Sequence, residues 1–271
     1  MTTALALARW PAAEPDAPVV VLLHGVGGSR ASFGDEVSGT AAALARAGLH
    51  AVAPDLPGYG ESPSVEPYTM ATLAAALGTL IDSLDAPRVA IVGHSMGGMV
   101  AQEFMALASA AQRARIAALV LMATSPSFGP SGGAWQAEFL AQRLAPLDAG
   151  QGMAKLAPGL ALGMASPQAS HDAVARAALI MAAVPEATYR RALAAIADFD
   201  RRESLADLAL PVLCLAGADD RNAPATVMRR MAERIAGAEY RCLDGVGHLA
   251  HMEAGPVVNP VLIDFLRRKL G

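Results

Sequence analysis

The chain has 271 residues, 54% of them hydrophobic, 17% charged and only 4% aromatic, so it can bury a large core built mostly from Ala, Leu, Val and Met, which excludes an intrinsically disordered protein. A formal net charge of −4 with no Lys/Arg-rich block argues against a nucleic-acid partner. No apolar run reaches bilayer length, and the opening "MTTALALARWPAAEPDAP" has no basic residue ahead of its short apolar stretch, so no membrane association and a cytoplasmic location are expected.

Taken in chain order, strand candidates fall at 4–10, 18–25, 49–55, 88–94, 116–123, 211–217 and 239–243. Most are continuous apolar runs without strict alternation, which suits strands covered on both faces by helices and hence a mostly parallel sheet. Between them, 68–84 repeats Leu73, Leu77, Leu80, Ile81 and Leu84 at helical spacing behind a candidate cap at Thr69. The segments 95–110, 225–237 and 257–271 read likewise, with Gly237 as a C-terminal stop for the second. From about 125 to 208 only helical patterns appear (135–147, 170–184, 185–199), broken by Pro and Gly before a strand returns. The expected fold class is therefore α/β. Residues 1–124 and 209–271 form a core with a mostly parallel central sheet flanked by helices, and 125–208 form an all-helical lid inserted between sheet strands.

The stretch "RVAIVGHSMGG" (88–98) fits G-x-S-x-G at the end of a buried strand and the start of a helix. A tight turn there lifts Ser95 above the sheet, and Gly93 and Gly97 have a steric reason, since the serine's neighbours pass too close for side chains. An ordinary glycine-rich βα turn is the plain alternative. A serine hydroxyl needs a base to take its proton and a third group to orient that base. Of six histidines, His248 in "DGVGHLAHME" follows the last strand and so lies at the same carboxyl edge as Ser95, with His251 the runner-up. His94 should point to the opposite side of the turn, His24 precedes a Gly-rich loop, and His50 and His171 look peripheral. For the acid, Asp219 and Asp220 both follow the strand ending at Gly217, and Asp220 is preferred over the reading of an acidic helix start. The order Ser95, Asp220, His248 is serine, acid, histidine. Backbone N–H groups of Val26, in "HGVGGS", and Met96 are candidate oxyanion donors. That Gly-rich loop fails as a dinucleotide fingerprint at Arg30 and lacks the Lys-Ser/Thr ending of a phosphate loop.

No metal-ligand spacing occurs, and neither a metal nor a cofactor is expected. Cys214 and Cys242 both lie in apolar strand-like runs and read as inert core thiols. Trp135, Phe139, Met153, Met164 and Met181 are candidates to line a substrate pocket under the lid, although such residues at helical spacing are more often lid core. Arg143, Arg190 and Arg191 either meet a substrate carboxylate or lie on solvated helix faces.

Jointly, "LLHGVGGS", "APDLPGYGES" (53–62), "VGHSMGG", "GADD" and "GVGHLAHME" resemble the α/β-hydrolase superfamily in its lid-bearing group, over nearly the whole chain. The resemblance implies nucleophile Ser95, acid Asp220, base His248 and backbone donors at Val26 and Met96. The N-terminus departs from it by offering one strand where many members have a hairpin. Ser95 in place of an aspartate nucleophile excludes the dehalogenase and epoxide hydrolase types. His94 and Leu249 stand where the carbon–carbon bond hydrolases carry Asn and Trp. The lid's length, the exit strand "VLMATS" and the return segment to "PVLCLAG" are most similar to 3-oxoadipate enol-lactonases, features that many esterases share. The expected activity is hydrolysis of a small carboxylic ester or lactone through an acyl-enzyme. Carbon–carbon bond hydrolysis, acyl transfer by the same three residues, and a non-enzymatic binder of the same fold are the alternatives, and monomer and homodimer are both open.

Overall fold

The computed structural model describes residues 4–34, 39–129 and 133–270. Its strands are β1 (Leu7–Trp10), β2 (Val19–Leu23), β3 (His50–Pro54), β4 (Val89–His94), β5 (Ile116–Met122), β6 (Val212–Gly217) and β7 (Glu239–Leu243), in one sheet of order β1-β3-β2-β4-β5-β6-β7. Only β1 runs antiparallel, pairing with β3; every other neighbouring pair is parallel. The single N-terminal strand noted above thus makes a seven-stranded sheet with one reversed edge.

The apolar strand runs have a direct packing cause. Along β2, Val19, Val21 and Leu23 enter one buried cluster while Val20 and Leu22 enter the other, so both faces of the pleat are dry and alternation has no reason to appear. The helices are α1 (Gly39–Arg46), α2 (Met70–Ser83), α3 (Met96–Leu107), α4 (Ala110–Ala114), α5 (Ala134–Asp148), α6 (Gly152–Met164), α7 (His171–Ala182), α8 (Glu186–Ala197), α9 (Ala225–Glu233), α10 (Ala250–Glu253) and α11 (Gly255–Leu270). Helix α2 begins as expected at Thr69, whose Oγ1 accepts from the Thr72 N–H at 3.2 Å while Thr72 Oγ1 accepts from the Thr69 N–H at 3.0 Å. Helix α9 stops at Glu233, four residues before Gly237, whose φ of +71° instead serves the turn into β7. Helices α5 to α8 all lie between β5 and β6. Of these, α6 was not visible as a pattern because Gly152, Pro158, Gly159 and Gly163 interrupt it.

Cys242 requires a correction. Cys214, on β6 inside the sheet, is buried, but Cys242 is exposed, because β7 is the terminal strand and is half-buried to exposed along its whole length. Among the described residues no helix is long and apolar enough to cross a membrane.

Chain order places β3 on one side of β2 and β4 on the other. The carboxyl ends of β2 and β4 therefore flank the point where the winding reverses, the location at which open parallel sheets present a crevice. The loop at 24–29 and Ser95 both stand there.

Candidate active site

Ser95 occupies the turn between β4 and α3 with φ +52° and ψ −119°, a conformation that costs a non-glycine residue on the order of 1–3 kcal/mol and persists only where the surroundings enforce it. The enforcement is visible. A Cβ on Gly93 would come within 2.6 Å of the Gly97 oxygen and Gly98 Cα, and one on Gly97 would run into the backbone of Leu23. Glycine at both positions lets α3 pack directly on the sheet. Below the turn, the Ser95 N–H donates to the Met122 carbonyl at 3.0 Å, and the Ser95 carbonyl accepts from Thr124 Oγ1 at 2.7 Å.

The hydroxyl of Ser95 lies 2.9 Å from His248 Nε2, and His248 Nδ1 lies 2.9 Å from Asp220 Oδ2. With Nδ1–H donating to the carboxylate, Nε2 is left to accept the serine proton. The His248 main chain is fixed from two sides: its N–H donates to the Met164 carbonyl at 2.8 Å, and its carbonyl accepts from His94 Nε2–H at 2.7 Å. His94 thus braces the loop that carries His248, its ring 5.2 Å from the His248 ring, and it borders the smaller cavity beside Ser95. Asp220 Oδ1 accepts the N–H groups of Asn222 and Ala223 at 2.8 and 2.9 Å. Burial pushes the Asp220 carboxyl up, but the His248 charge and hydrogen bond, with those two amides, outweigh it and hold the group below the usual carboxylate range. Asp219 is exposed, and among the described residues neither ring nitrogen of His251 has a hydrogen-bond partner. Of the paired alternatives, Asp220 and His248 are the two that lie in hydrogen-bond reach of each other, with His248 also reaching Ser95.

The loop at 24–29 is pinned by contacts that the sequence did not reveal. His24 Nδ1–H donates to the Gly25 carbonyl at 2.8 Å, and its Nε2 accepts the Leu56 N–H at 3.0 Å. Burial pulls this ring's pKa down to about 4. Tyr59 O–H donates to the Val26 carbonyl at 3.0 Å, and Asp55 accepts the Arg30 N–H at 2.8 Å while pairing with its guanidinium at 3.0 Å. The segment 53–62 is therefore the brace of this loop. It holds Val26 beside Ser95, both facing one cleft.

Two cavities meet at Ser95 and His248. The larger, ≈ 160 Å³, is floored by Met99, Ala123 and Thr124 and roofed by Trp135, Phe139 and Arg143 from α5 with Tyr189 and Leu193 from α8. The smaller, ≈ 30 Å³, lies toward α7 and includes Gly27, Met181 and His251. Trp135 and Phe139 are thus cleft residues, Met164 borders both cavities, and Met181 belongs to the smaller one. Met153 is a correction: it borders neither and is buried in the apolar core, because its face of α6 turns inward. Arg190 is engaged by Asp148 and Glu186, and Arg191 by Glu66. Among the described residues Arg143 has no ion pair, and it lies over the Phe139 ring at 5.4 Å. Among the described residues no group of three or more His, Cys, Asp or Glu could hold a metal ion.

Comparison with known proteins places this geometry in context. Residues 20–260 match the family described as alpha/beta hydrolase. A protein of Variovorax paradoxus whose name proposes carbamate hydrolysis is 31% identical over 93% of this chain and 93% of its own. The crystal structure of a hydrolase from Pseudomonas aeruginosa is 30% identical and superposes with a TM-score of 0.81, covering 97% of this chain and 94% of that one. The enol-lactonase of Burkholderia xenovorans, 24% identical, shares the fold with a TM-score of 0.79 over 97% of this chain and 96% of its own.

Proposed function

Because the chain belongs to the alpha/beta hydrolase family, we propose that it is a serine hydrolase that cleaves a small carboxylic ester or lactone through an acyl-enzyme, with Ser95 as nucleophile, His248 as general base and Asp220 as its orienting acid. The observation that carries this reading is the continuous chain from Ser95 Oγ to His248 Nε2 to Asp220 Oδ2, each link 2.9 Å. In the first half-reaction Ser95 Oγ bonds to the carbonyl carbon as its proton passes to His248 Nε2. The imidazolium, stabilised by Asp220, then protonates the departing alkoxide. The carbonyl oxygen becomes an oxyanion beside the N–H groups of Met96, at the start of α3, and Val26, both proposed as its donors. No cofactor enters this scheme.

The substrate lies in the cleft of ≈ 160 Å³, beneath a lid formed by residues 125–208. Its walls are mainly apolar, with Arg143 as a lining cation that has no acidic partner among the described residues. That combination favours a compact acyl group bearing a carboxylate away from the scissile bond. The full-length relative named for carbamate hydrolysis favours a second reading, in which the same residues act on a carbamate carbonyl; comparing p-nitrophenyl esters with p-nitrophenyl carbamates separates the two.

The test is covalent labelling. A fluorophosphonate probe is expected to label the parent enzyme at Ser95 and to leave Ser95→Ala unlabelled and inactive on p-nitrophenyl acetate. Undiminished labelling of Ser95→Ala would place the nucleophile elsewhere.

A further inference from the structure

Of the four tyrosines, three donate the hydroxyl proton to a main-chain carbonyl: Tyr59 to Val26 at 3.0 Å, Tyr68 to Pro57 at 2.9 Å and Tyr240 to Ala225 at 3.0 Å. Tyr189 does not. It is 1% exposed, yet among the described residues its hydroxyl has no hydrogen-bond partner. A phenol withdrawn from water in that state forgoes its hydrogen bonds, and native proteins rarely leave one idle. The oxygen itself is not sealed in: it keeps surface that solvent can reach, and the cavity that Tyr189 borders is the larger cleft beside Ser95. Its neighbours on α8 are tied down. Thr188 Oγ1–H donates to the Gly58 carbonyl at 2.8 Å, and Arg190 pairs with Asp148 at 2.6 Å. The hydroxyl is thus set toward the cleft before a ligand arrives, which reduces the ordering cost of binding.

The rest of the lining indicates the chemistry of the missing partner. Among the described residues no Asp or Glu side chain borders the cleft. Thr124 and Ser125 already donate their protons, to the carbonyls of Ser95 and Ser127, each at 2.7 Å. Burial raises the Tyr189 pKa, and the Arg143 charge, close enough to act on it, pulls the other way; the phenol stays protonated and is a donor at neutral pH. A phenol O–H and a guanidinium near each other, with no anion in the lining, match a carboxylate, whose two oxygens can take a bond from each. We propose that Tyr189 is a specificity-determining residue, its O–H and the Arg143 guanidinium together holding the far carboxylate of a short dicarboxylic acid monoester. This assignment rests on the ester-cleaving reading above and adds the group that selects the acyl chain. An ester without that carboxylate leaves both donors unpaired in a mainly apolar cleft, the condition under which a site discriminates strongly against an analogue lacking one polar group. The cleft reaches solvent where Trp135 and Asn222, both exposed, border it, so the departing alcohol has an exit.

The ratio of kcat/KM for p-nitrophenyl hydrogen glutarate to that for p-nitrophenyl butyrate tests the selection. Tyr189→Phe is expected to lower this ratio about tenfold. Equal falls for both esters, as loss of packing would give, would overturn the assignment. Combined with Arg143→Met, the effect is expected to depart from the product of the two single effects by about threefold or more, because both donors hold one carboxylate. Effects that simply multiply would overturn the shared subsite. Tyr189→Phe is also expected to melt no lower than the parent, since it breaks no internal hydrogen bond; a clear drop would reveal a protein partner for the hydroxyl and refute its role. Calorimetric titration of Ser95→Ala reads the subsite without turnover. Glutarate is expected to bind about tenfold more tightly than butyrate, and adding Tyr189→Phe to remove most of that preference. Equal affinities for the two acids would overturn the subsite, whereas undiminished fluorophosphonate labelling of Ser95→Ala would overturn only the nucleophile.

Discussion

At the scale of single residues, position and partner decide role more than residue type does. Three arginines on or under α5 and α8 look interchangeable along the chain, but Arg190 and Arg191 are neutralised by Asp148, Glu186 and Glu66, whereas Arg143 faces the cleft over Phe139. A guanidinium that gains a carboxylate partner on binding contributes about 1.5–3 kcal/mol when the pair is partly dry, less where water reaches it. Arg143→Met is therefore expected to raise KM for a p-nitrophenyl monoester of glutaric acid about tenfold. It should leave KM for the uncharged butyrate ester within about twofold, since the methionine keeps the apolar contact with Phe139. Equal changes for both esters would assign Arg143 to packing alone.

Secondary elements set which side chains meet solvent, and the two cysteines show this. Both sit in runs of similar hydrophobicity, but β6 has neighbours on both sides and β7 on one. Burial pushes the Cys214 thiol up to about 12, so it is almost entirely protonated at neutral pH and shielded as well. Cys242 is exposed and reactive by access. Titration of the native protein with an aromatic disulfide reagent is expected to modify one thiol, Cys242, and the denatured protein two. Two thiols reacting at equal rates in the native state would contradict the placement of β6 in the interior.

The molecule as a whole encloses four histidines near the carboxyl edge of the sheet, and for three of them, His24, His94 and His251, burial has a thermodynamic signature. Burial lowers His24 to about 4 and His94 to about 3, and His251 also lies well below its ordinary value. In the unfolded chain all three titrate near 6.5. Below that pH the unfolded state binds protons that the folded state refuses, so this contribution is complete above about 6.5 and is lost as pH falls toward the folded values. The slope is about 1.4 kcal/mol per pH unit for each imidazole, or about 4 kcal/mol per unit for three together. Asp220, held below the usual carboxylate range, acts in the same direction at lower pH. Urea midpoints are expected to be level between pH 7 and 8 and to drop steeply between pH 6 and 4.5; a level midpoint down to pH 5 would mean that these rings take up protons without unfolding.

Much of this arrangement was legible along the chain, for reasons that are local. Strands dry on both faces must be apolar throughout, so Val19–Leu23, Val89–His94 and Ile116–Met122 announced a parallel sheet. The glycines flanking Ser95 marked a turn too tight for side chains, and the order of Ser95, Asp220 and His248 carried the family resemblance. What stayed hidden depends on residues far apart in sequence. The motif at 53–62 was recognisable, but its work as a brace appears only when Tyr59 reaches Val26 and Asp55 reaches Arg30. Met153 and Cys242 matched the apolar pattern of their elements, and only packing decided that the first is core and the second faces water. Sequence by itself thus determined the layered α/β architecture and the candidates for its chemistry, because strand burial and turn sterics act over a few residues. That Asp220 bonds His248 and His248 reaches the serine, and which side chains border the two cavities, was fixed by tertiary structure, since a difference of a few ångströms between distant loops separates a hydrogen bond from none.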